Sequence, residues 1–438
     1  MDSMAERFRY LVRRATREPI LRDSSIILLS NCLRKGISLV QSIILFRALG
    51  AQNYGLIIFV ISLVSFIIQF LDVRTTDAVI KFMGSAISRQ KPAEAITFFK
   101  LGLGTHVCVA TGILILILAI VPALAELSSL LIIYAFAVPL ITLQNTFISV
   151  LLTFRRFRLF AALSLVADFI LLVWVILLSP YGVTAVMLGY WLTAVMVFGL
   201  WTGSGLFLLR KNFSSFQGES YRSAWRQFYP FMLHTSLSAS CKTIFSYVGP
   251  LSLGIFQTPD TLFYYQIATS AAELVLFAIH PIRLIIFPAL NMAWATRQMT
   301  RVHELLRLFI GYILVIEMGA LMFFLVNAHW LVHLLYGARA FPAVPILYIL
   351  VLADAMSNMF SWIRPLAMAS GKPQLLTIST VVQSLLRATL IIPLVRGYGL
   401  MGLAVAMLIA NALSALFNWF SIVPKLELRR ELSGISSS

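Results

Sequence analysis

Charge is what this sequence has least of. Asp, Glu, Lys and Arg make up 12% of its 438 residues, whereas soluble domains carry about 25%. With 60% apolar residues and a mean hydropathy of +0.91, the composition excludes a soluble globular protein and places the chain in a membrane. Cysteine is almost missing: Cys32, Cys108 and Cys241 all fall inside apolar runs, so a disulfide framework is excluded and free thiols are expected. His106, His234 and His280 stand alone, with no second ligand at metal spacing, and read as polar residues of the core. Neither a metal nor a cofactor is expected. No GxxxxGK[ST] loop occurs, which excludes ATP hydrolysis by this chain. Connections on the outer side are mostly under ten residues, and the longest, 327–343, is about seventeen. That leaves no room for the external catalytic loop of a glycan polymerase or ligase. A cleavable leader is not expected either, because residues 1–23 are Arg-rich and carry acids, and the apolar run that follows is too long. This first stretch reads as a surface helix against anionic headgroups.

What is present is a succession of apolar runs of about 20 residues, the length that crosses a bilayer as a helix. Twelve are legible: 24–46, 54–71, 101–121, 129–151, 159–179, 184–209, 231–256, 265–287, 308–326, 344–368, 375–395 and 400–423. They predict a basic cytoplasmic segment (1–23), an N-lobe of six helices (24–209), a cytoplasmic linker (210–230), a C-lobe of six helices (231–423) and a cytoplasmic tail (424–438). With the N-terminus placed inside, 25 of the 34 basic residues fall in cytoplasmic segments, three in outer connections (Arg47, Arg339, Arg396) and six within spans. This skew follows the positive-inside rule. It puts both termini in the cytoplasm and directs the +17 net charge toward headgroups rather than nucleic acid.

A weak internal repeat runs at an offset of about 210 residues. Lys35 recurs as Lys242, Leu49-Gly50 as Leu253-Gly254, Phe154-Arg155-Arg156-Phe157 as Ala369-Ser370-Gly371-Lys372, and Tyr181-Gly182-Val183 as Tyr398-Gly399-Leu400. Two six-span halves that both start inside are parallel repeats, related by a pseudo-two-fold axis along the membrane normal. Such an architecture implies a carrier that binds substrate between halves and rocks them by turns. Pro139, Gly249-Pro250, Pro281, Pro288, Pro345, Pro365 and Pro393 are expected to interrupt their spans, and Gly249-Pro250, following Lys242 in the same span, is the expected hinge.

Six cations lie inside the spans, and a charge at mid-membrane is costly enough that it usually faces a watery interior. Arg34, Lys35, Lys242 and Arg387 sit near the centres of their spans; Arg283 and Arg364 lie nearer the cytoplasmic ends, where snorkelling is the alternative. Four acids accompany them, Asp168, Glu273, Glu317 and Asp354, as ion-pair partners or as binding groups for a coupling proton or sodium ion. The surplus of bases suits a cavity for an anion such as a diphosphate, which Arg grips through two parallel hydrogen bonds. Asp72, Arg74, Asp77 and Lys81 cluster just beyond the second span, as a solvated turn or as the salt bridges of an inner gate.

Further motifs point to a family. Asn31-Cys-Leu-Arg-Lys-Gly followed by Arg47-Ala-Leu-Gly-Ala-Gln-Asn-Tyr-Gly55 resembles the opening of the polysaccharide-exporting flippases, within the multidrug/oligosaccharidyl-lipid/polysaccharide exporter superfamily. Leu71-Asp-Val-Arg-Thr-Thr-Asp-Ala-Val-Ile80, Lys242-Thr-Ile-Phe-Ser-Tyr, Phe263-Tyr-Tyr-Gln-Ile-Ala268, Leu335-Tyr-Gly-Ala-Arg-Ala-Phe341 and Gly397-Tyr-Gly-Leu-Met-Gly-Leu403 follow in order, so the resemblance covers nearly the whole chain. It implies an all-α polytopic protein with twelve helices in two lobes around a central cationic cavity. It also implies export, across a bacterial inner membrane, of an oligosaccharide carried on undecaprenyl diphosphate, such as an O-antigen or exopolysaccharide repeat unit. Arg34, Lys35 and Lys242 match the family's cavity cations. The expected partners are the lipid-linked oligosaccharide, membrane lipids, H+ or Na+ as coupling ion, and polysaccharide polymerase and assembly proteins. An ion-coupled antiporter of drugs or small molecules from the same superfamily is the alternative.

Overall fold

Long apolar runs with few breakers leave the backbone one way to satisfy its own hydrogen bonds in lipid, the helix. The computed structural model describes residues 19–71, 74–213, 221–370 and 374–422; several side chains within these stretches, among them those of 237–242 and 280–285, lie outside the description. Every described element is helical, and no strand occurs among the described residues. The helices are α1 (Pro19–Leu71), α2 (Thr75–Ser88), α3 (Pro92–Ile120), α4 (Ser128–Ala135), α5 (Val138–Thr153), α6 (Phe157–Leu178), α7 (Val183–Asn212) and α8 (Tyr221–Phe256). They continue as α9 (Pro259–Ala295), α10 (Met299–Tyr336), α11 (Ala343–Met359), α12 (Ile363–Ala369) and α13 (Gln374–Phe417). Eight helical stretches of the described chain are long and apolar enough to cross a membrane.

Two of those stretches hold two legs each. The first leg of α1 ends at Gly50 (φ 77°, ψ 173°), and α13 turns at Gly399 (φ 58°, ψ −136°). An L side chain avoids both conformations, so glycine permits the reversal. Asn53 Nδ2 then donates to the Leu49 carbonyl at 3.2 Å, occupying an oxygen that the turn releases. The Tyr-Gly repeat carries over into the backbone, because Gly182 (φ 93°) and Gly399 both take the positive-φ conformation.

Two expected spans differ in detail, and a further helix follows a third. The span read as 54–71 is followed, past residues 72–73, by Arg74 (φ 46°) and then by α2, which packs on α3 and α5. The spans read as 129–151 and 344–368 are each broken, at 136–137 and 360–362. Pro139 then lies in the first turn of α5, and Pro345 and Pro365 in the first turns of α11 and α12, where the missing N–H has no partner to lose. These three prolines start helices rather than kinking them, whereas Pro250, Pro281, Pro288 and Pro393 lie inside theirs.

The chain divides into two compact units, Met1–Thr243 and Ile244–Ser438. In the first, α1 packs along α6, and α5 lies against α3 and α7. Its core carries an aromatic stack: Phe82 on Phe98 with ring centroids 5.1 Å apart, and Phe231 edge-on to Phe82 at 5.5 Å. This stack ties α2 and α3 to the first half of α8. In the second unit α11 packs on α13 and α9, and α10 on α9 and α11. Buried Ala404, Ala406 and Ala410 line the second leg of α13, the small residues that let membrane helices approach closely.

Three turns on the expected cytoplasmic side close in the same manner without glycine. Gln90, Arg155 and Arg297 adopt φ of 59°, 53° and 54°, and each is followed by a six-to-one hydrogen bond, such as Arg156 N to Leu151 O at 2.9 Å. This is a Schellman ending, in which the left-handed residue is usually glycine. A left-handed L-residue costs roughly 1–2 kcal/mol, partly offset here because glycine would have more freedom to lose on folding. Arg155→Gly should therefore raise the thermal stability of the purified protein by about 0.5–1 kcal/mol, read from the unfolding midpoint in detergent. A lower midpoint would mean that the exposed Arg155 side chain contributes more than its strained backbone removes.

Candidate functional site

The first long helix explains how a mid-span arginine is tolerated. Ser30, Arg34 and Gln41 lie along one face of α1, and each makes a polar contact to α6. Ser30 Oγ donates to the Ala161 carbonyl at 3.2 Å, and Gln41 Nε2 to the Asp168 carbonyl at 2.9 Å. Between them Arg34 Nε meets Asp168 Oδ2 at 2.6 Å, with side chains 39% and 26% exposed. Arg34 makes no second hydrogen bond among the described residues, so its Nη1 and Nη2 groups are uncommitted. Lys35, one step around the helix, is exposed and has polar company of its own.

The second unit gathers a different cluster. Arg387 Nη2 donates to Asn411 Oδ1 at 2.9 Å, and Gln383 Nε2 reaches the same oxygen at 3.3 Å. Asn411 Nδ2 donates to the Ala353 carbonyl at 2.7 Å, next to Asp354. Both legs of α13 are thereby joined to α11. Asp354 and Tyr265 lie within electrostatic reach of Arg387, and Glu273 within reach of Asp354 and Tyr265. Arg387 Nε is buried with no hydrogen-bond partner among the described residues. Nearby in sequence, Asn358 Nδ2 donates to the buried Glu317 Oε1 at 2.7 Å, linking α10 and α11.

The other expected site residues disperse. Arg364 is exposed on α12. Lys242 and Arg283 belong to α8 and α9, but their side chains lie outside the described residues, as do those of Cys241, His234 and His280. Cys32 and Cys108 are free and exposed. Asp72 lies outside the described residues entirely. Of the gate candidates, Arg74 precedes α2, Asp77 is exposed in its first turn, and Lys81 Nζ sits 3.7 Å from the Phe231 ring centroid. No ion pair joins Arg74, Asp77 or Lys81 to one another among the described residues. Lys81 instead makes a cation–π contact that holds α2 to α8. Gly249 and Pro250 are helical within α8, and a methyl group on Gly249 would lie 3.3 Å from Leu403 Cδ1. His106 Nδ1 meets Thr146 Oγ1 at 2.6 Å in the core of the first unit.

The profile of the family described as polysaccharide biosynthesis protein matches residues 20–294. The chain belongs to this family. No curated protein matches the sequence. Among solved structures, "Lipid II flippase MurJ, inward closed conformation" is similar at TM-score 0.73 and 16% identity, over 90% of this chain and 87% of that one. A multidrug resistance MATE family transporter of the MOP superfamily, in its inward-facing conformation, is similar at TM-score 0.67 and 16% identity, over 92% and 96%. A MATE structure in the bent conformation follows at 0.58 and 15%, over 97% and 98%. At such identities the likeness is one of fold. The chain is thus a multi-pass membrane protein with the fold of flippases and transporters. The family match contains Arg34 and Asp168, whereas Asp354, Arg387 and Asn411 lie beyond it.

Reading charges alone missed the neutral half of both clusters. Gln41, Gln383, Asn358 and Asn411 all sit in apolar spans, where a carboxamide must find partners. An inventory of Asn and Gln within the spans would have flagged them.

Proposed function

We propose that this protein flips an undecaprenyl-diphosphate-linked oligosaccharide, an O-antigen or exopolysaccharide repeat unit, from the cytoplasmic to the outer leaflet of a bacterial inner membrane. The observation that carries the reading is Arg34: a guanidinium in the middle of an apolar helix, part exposed, with both terminal nitrogens uncommitted among the described residues. Such a fork suits a diphosphate. Lys35 and Lys242 would add charge, while Arg283, Arg364 and Arg387 would serve the path or the scaffold. The prenyl tail would stay in lipid as the headgroup crosses by alternating access. Gly249-Pro250 would flex in α8, the helix that passes from one compact unit to the next between Thr243 and Ile244. Asp354 faces Arg387 and Glu273 lies within reach of Asp354, and these two acids would be the seat for H+ or Na+ coupling, while Glu317 and Asp168 would serve as partners within their lobes. Both termini would be cytoplasmic, and polysaccharide polymerase and assembly proteins would take up the exported unit on the far side. The family assignment and the flippase fold support this reading over the antiporter of small molecules, which the MATE likeness keeps as the second reading.

The test is deletion of the gene, scored for surface polysaccharide and for lipid-linked oligosaccharide held on the inner leaflet. Polymer should disappear and the lipid-linked unit accumulate, with wild type restoring export and Arg34→Ala leaving it at least about tenfold lower. Unchanged polysaccharide with altered drug tolerance would select the antiporter.

A further inference from the structure

Asp168 poses a question that helix packing does not answer. The seam between α1 and α6 is already held on both sides of it, by Ser30 to Ala161 and by Gln41 to the Asp168 main chain. A part-exposed ion pair contributes little to joining two helices. The pair's geometry is also incomplete as a lock. Asp168 engages Arg34 through Nε alone, at 2.6 Å, where a carboxylate given the chance takes two parallel N–H bonds. One edge of the guanidinium is thus pinned while the edge formed by Nη1 and Nη2 is left uncommitted among the described residues.

We propose that Asp168 is a positioning residue: it tethers Arg34 by Nε and thereby presents the Nη1/Nη2 fork, already oriented, to the diphosphate of the lipid-linked substrate. Gln41 completes the device. It lies about two turns beyond Arg34 on the same helix face and fixes the backbone that carries Asp168. A long arginine side chain otherwise loses substantial rotamer entropy when it is immobilised by a ligand, and holding it beforehand removes that loss from binding. The inference rests on the flippase reading for the identity of the ligand, but on α1 and α6 alone for the geometry.

Its signature opposes simple electrostatics. An acid beside an anion site weakens anion binding through repulsion, so its removal ought to strengthen binding. A tether predicts the reverse. Purified protein in nanodiscs is titrated with inorganic pyrophosphate and with geranylgeranyl diphosphate, and the folded state of each variant is followed by its unfolding midpoint. Asp168→Ala should bind both probes about three- to tenfold more weakly, the rotamer cost of immobilising one long side chain on binding. Asp168→Asn keeps an oxygen for Nε–H and Asp168→Glu keeps the charge; both should recover most of the affinity, and they keep the proposal testable where the alanine variant unfolds. Lysine lacks the Nε branch, so Arg34→Lys should itself weaken binding, and adding Asp168→Ala to it should change nothing more.

Wild-type or tighter binding by folded Asp168→Ala would overturn the proposal, as would an undiminished further loss in the Arg34→Lys background. Absence of diphosphate binding by the wild type would overturn it too. Should the affinity pattern hold while the gene deletion leaves surface glycan intact, the flippase reading falls and the tether stands. Should the deletion block export while Asp168→Ala binds normally, the tether falls and the flippase stands.

Discussion

Gly402→Ala should abolish accumulation of folded protein in the membrane. A methyl group built on Gly402 would overlap the Leu394 carbonyl oxygen and lie 2.5 Å from its carbon. Both atoms are backbone, so no rotamer change relieves the overlap. The two legs of α13 reverse at Gly399, and Gly402 is where the second leg crosses the last turn of the first. Overpacking typically costs about 1–3 kcal/mol where side chains can yield, and more where they cannot. Expression with a fluorescent fusion and size-exclusion chromatography would check this. A monodisperse peak at wild-type yield would show that the legs can part without loss. The neighbouring Met401 is exposed, and alanine there should be silent, which makes it the control.

That turn also shows how far the sequence could be read. The Gly-Tyr-Gly-Leu-Met-Gly motif marked the place, and its two later glycines have separate causes, a left-handed backbone at 399 and a close crossing at 402. Helix identity was legible because apolar runs of spanning length leave few alternatives. The breaks at 136–137 and 360–362 were not, because the residues there, Phe136, Ala137, Phe360, Ser361 and Trp362, resemble their surroundings and include neither proline nor glycine. Proline was visible but its meaning inverted: at Pro139 and Pro365 it opens the second piece instead of bending a continuous one. For the site, Arg34 and Asp168 could each be picked out as costly charges. Their pairing could not, since 134 residues separate them and only the α1–α6 packing brings them together. Arg387 was equally visible, while Asn411, the residue that holds it, is uncharged and passed unnoticed.

Asn411→Ala should destabilise the protein by about 3 kcal/mol. Asn411 is 1% exposed, its oxygen receives both Arg387 and Gln383, and its amide nitrogen is committed to Ala353. The carboxamide orientation is dictated by these partners, since only the oxygen can face a guanidinium. Alanine removes all three bonds and leaves a mid-membrane cation with one fewer ligand. Arg387→Met combined with Asn411→Leu removes donor and acceptor together, which is close to neutral for that pair, but it also takes the neighbouring cation from Asp354. The double variant should therefore recover part of the lost unfolding midpoint in detergent. An Asn411→Ala protein as stable as wild type would show that the network contributes nothing. The recovered double variant then separates two roles for Arg387 that sequence alone leaves joined. If it restores surface glycan, the guanidinium serves the fold of its lobe and Arg34 bears the diphosphate. If it is stable yet inactive, Arg387 acts on the transported molecule or on Asp354 beside it.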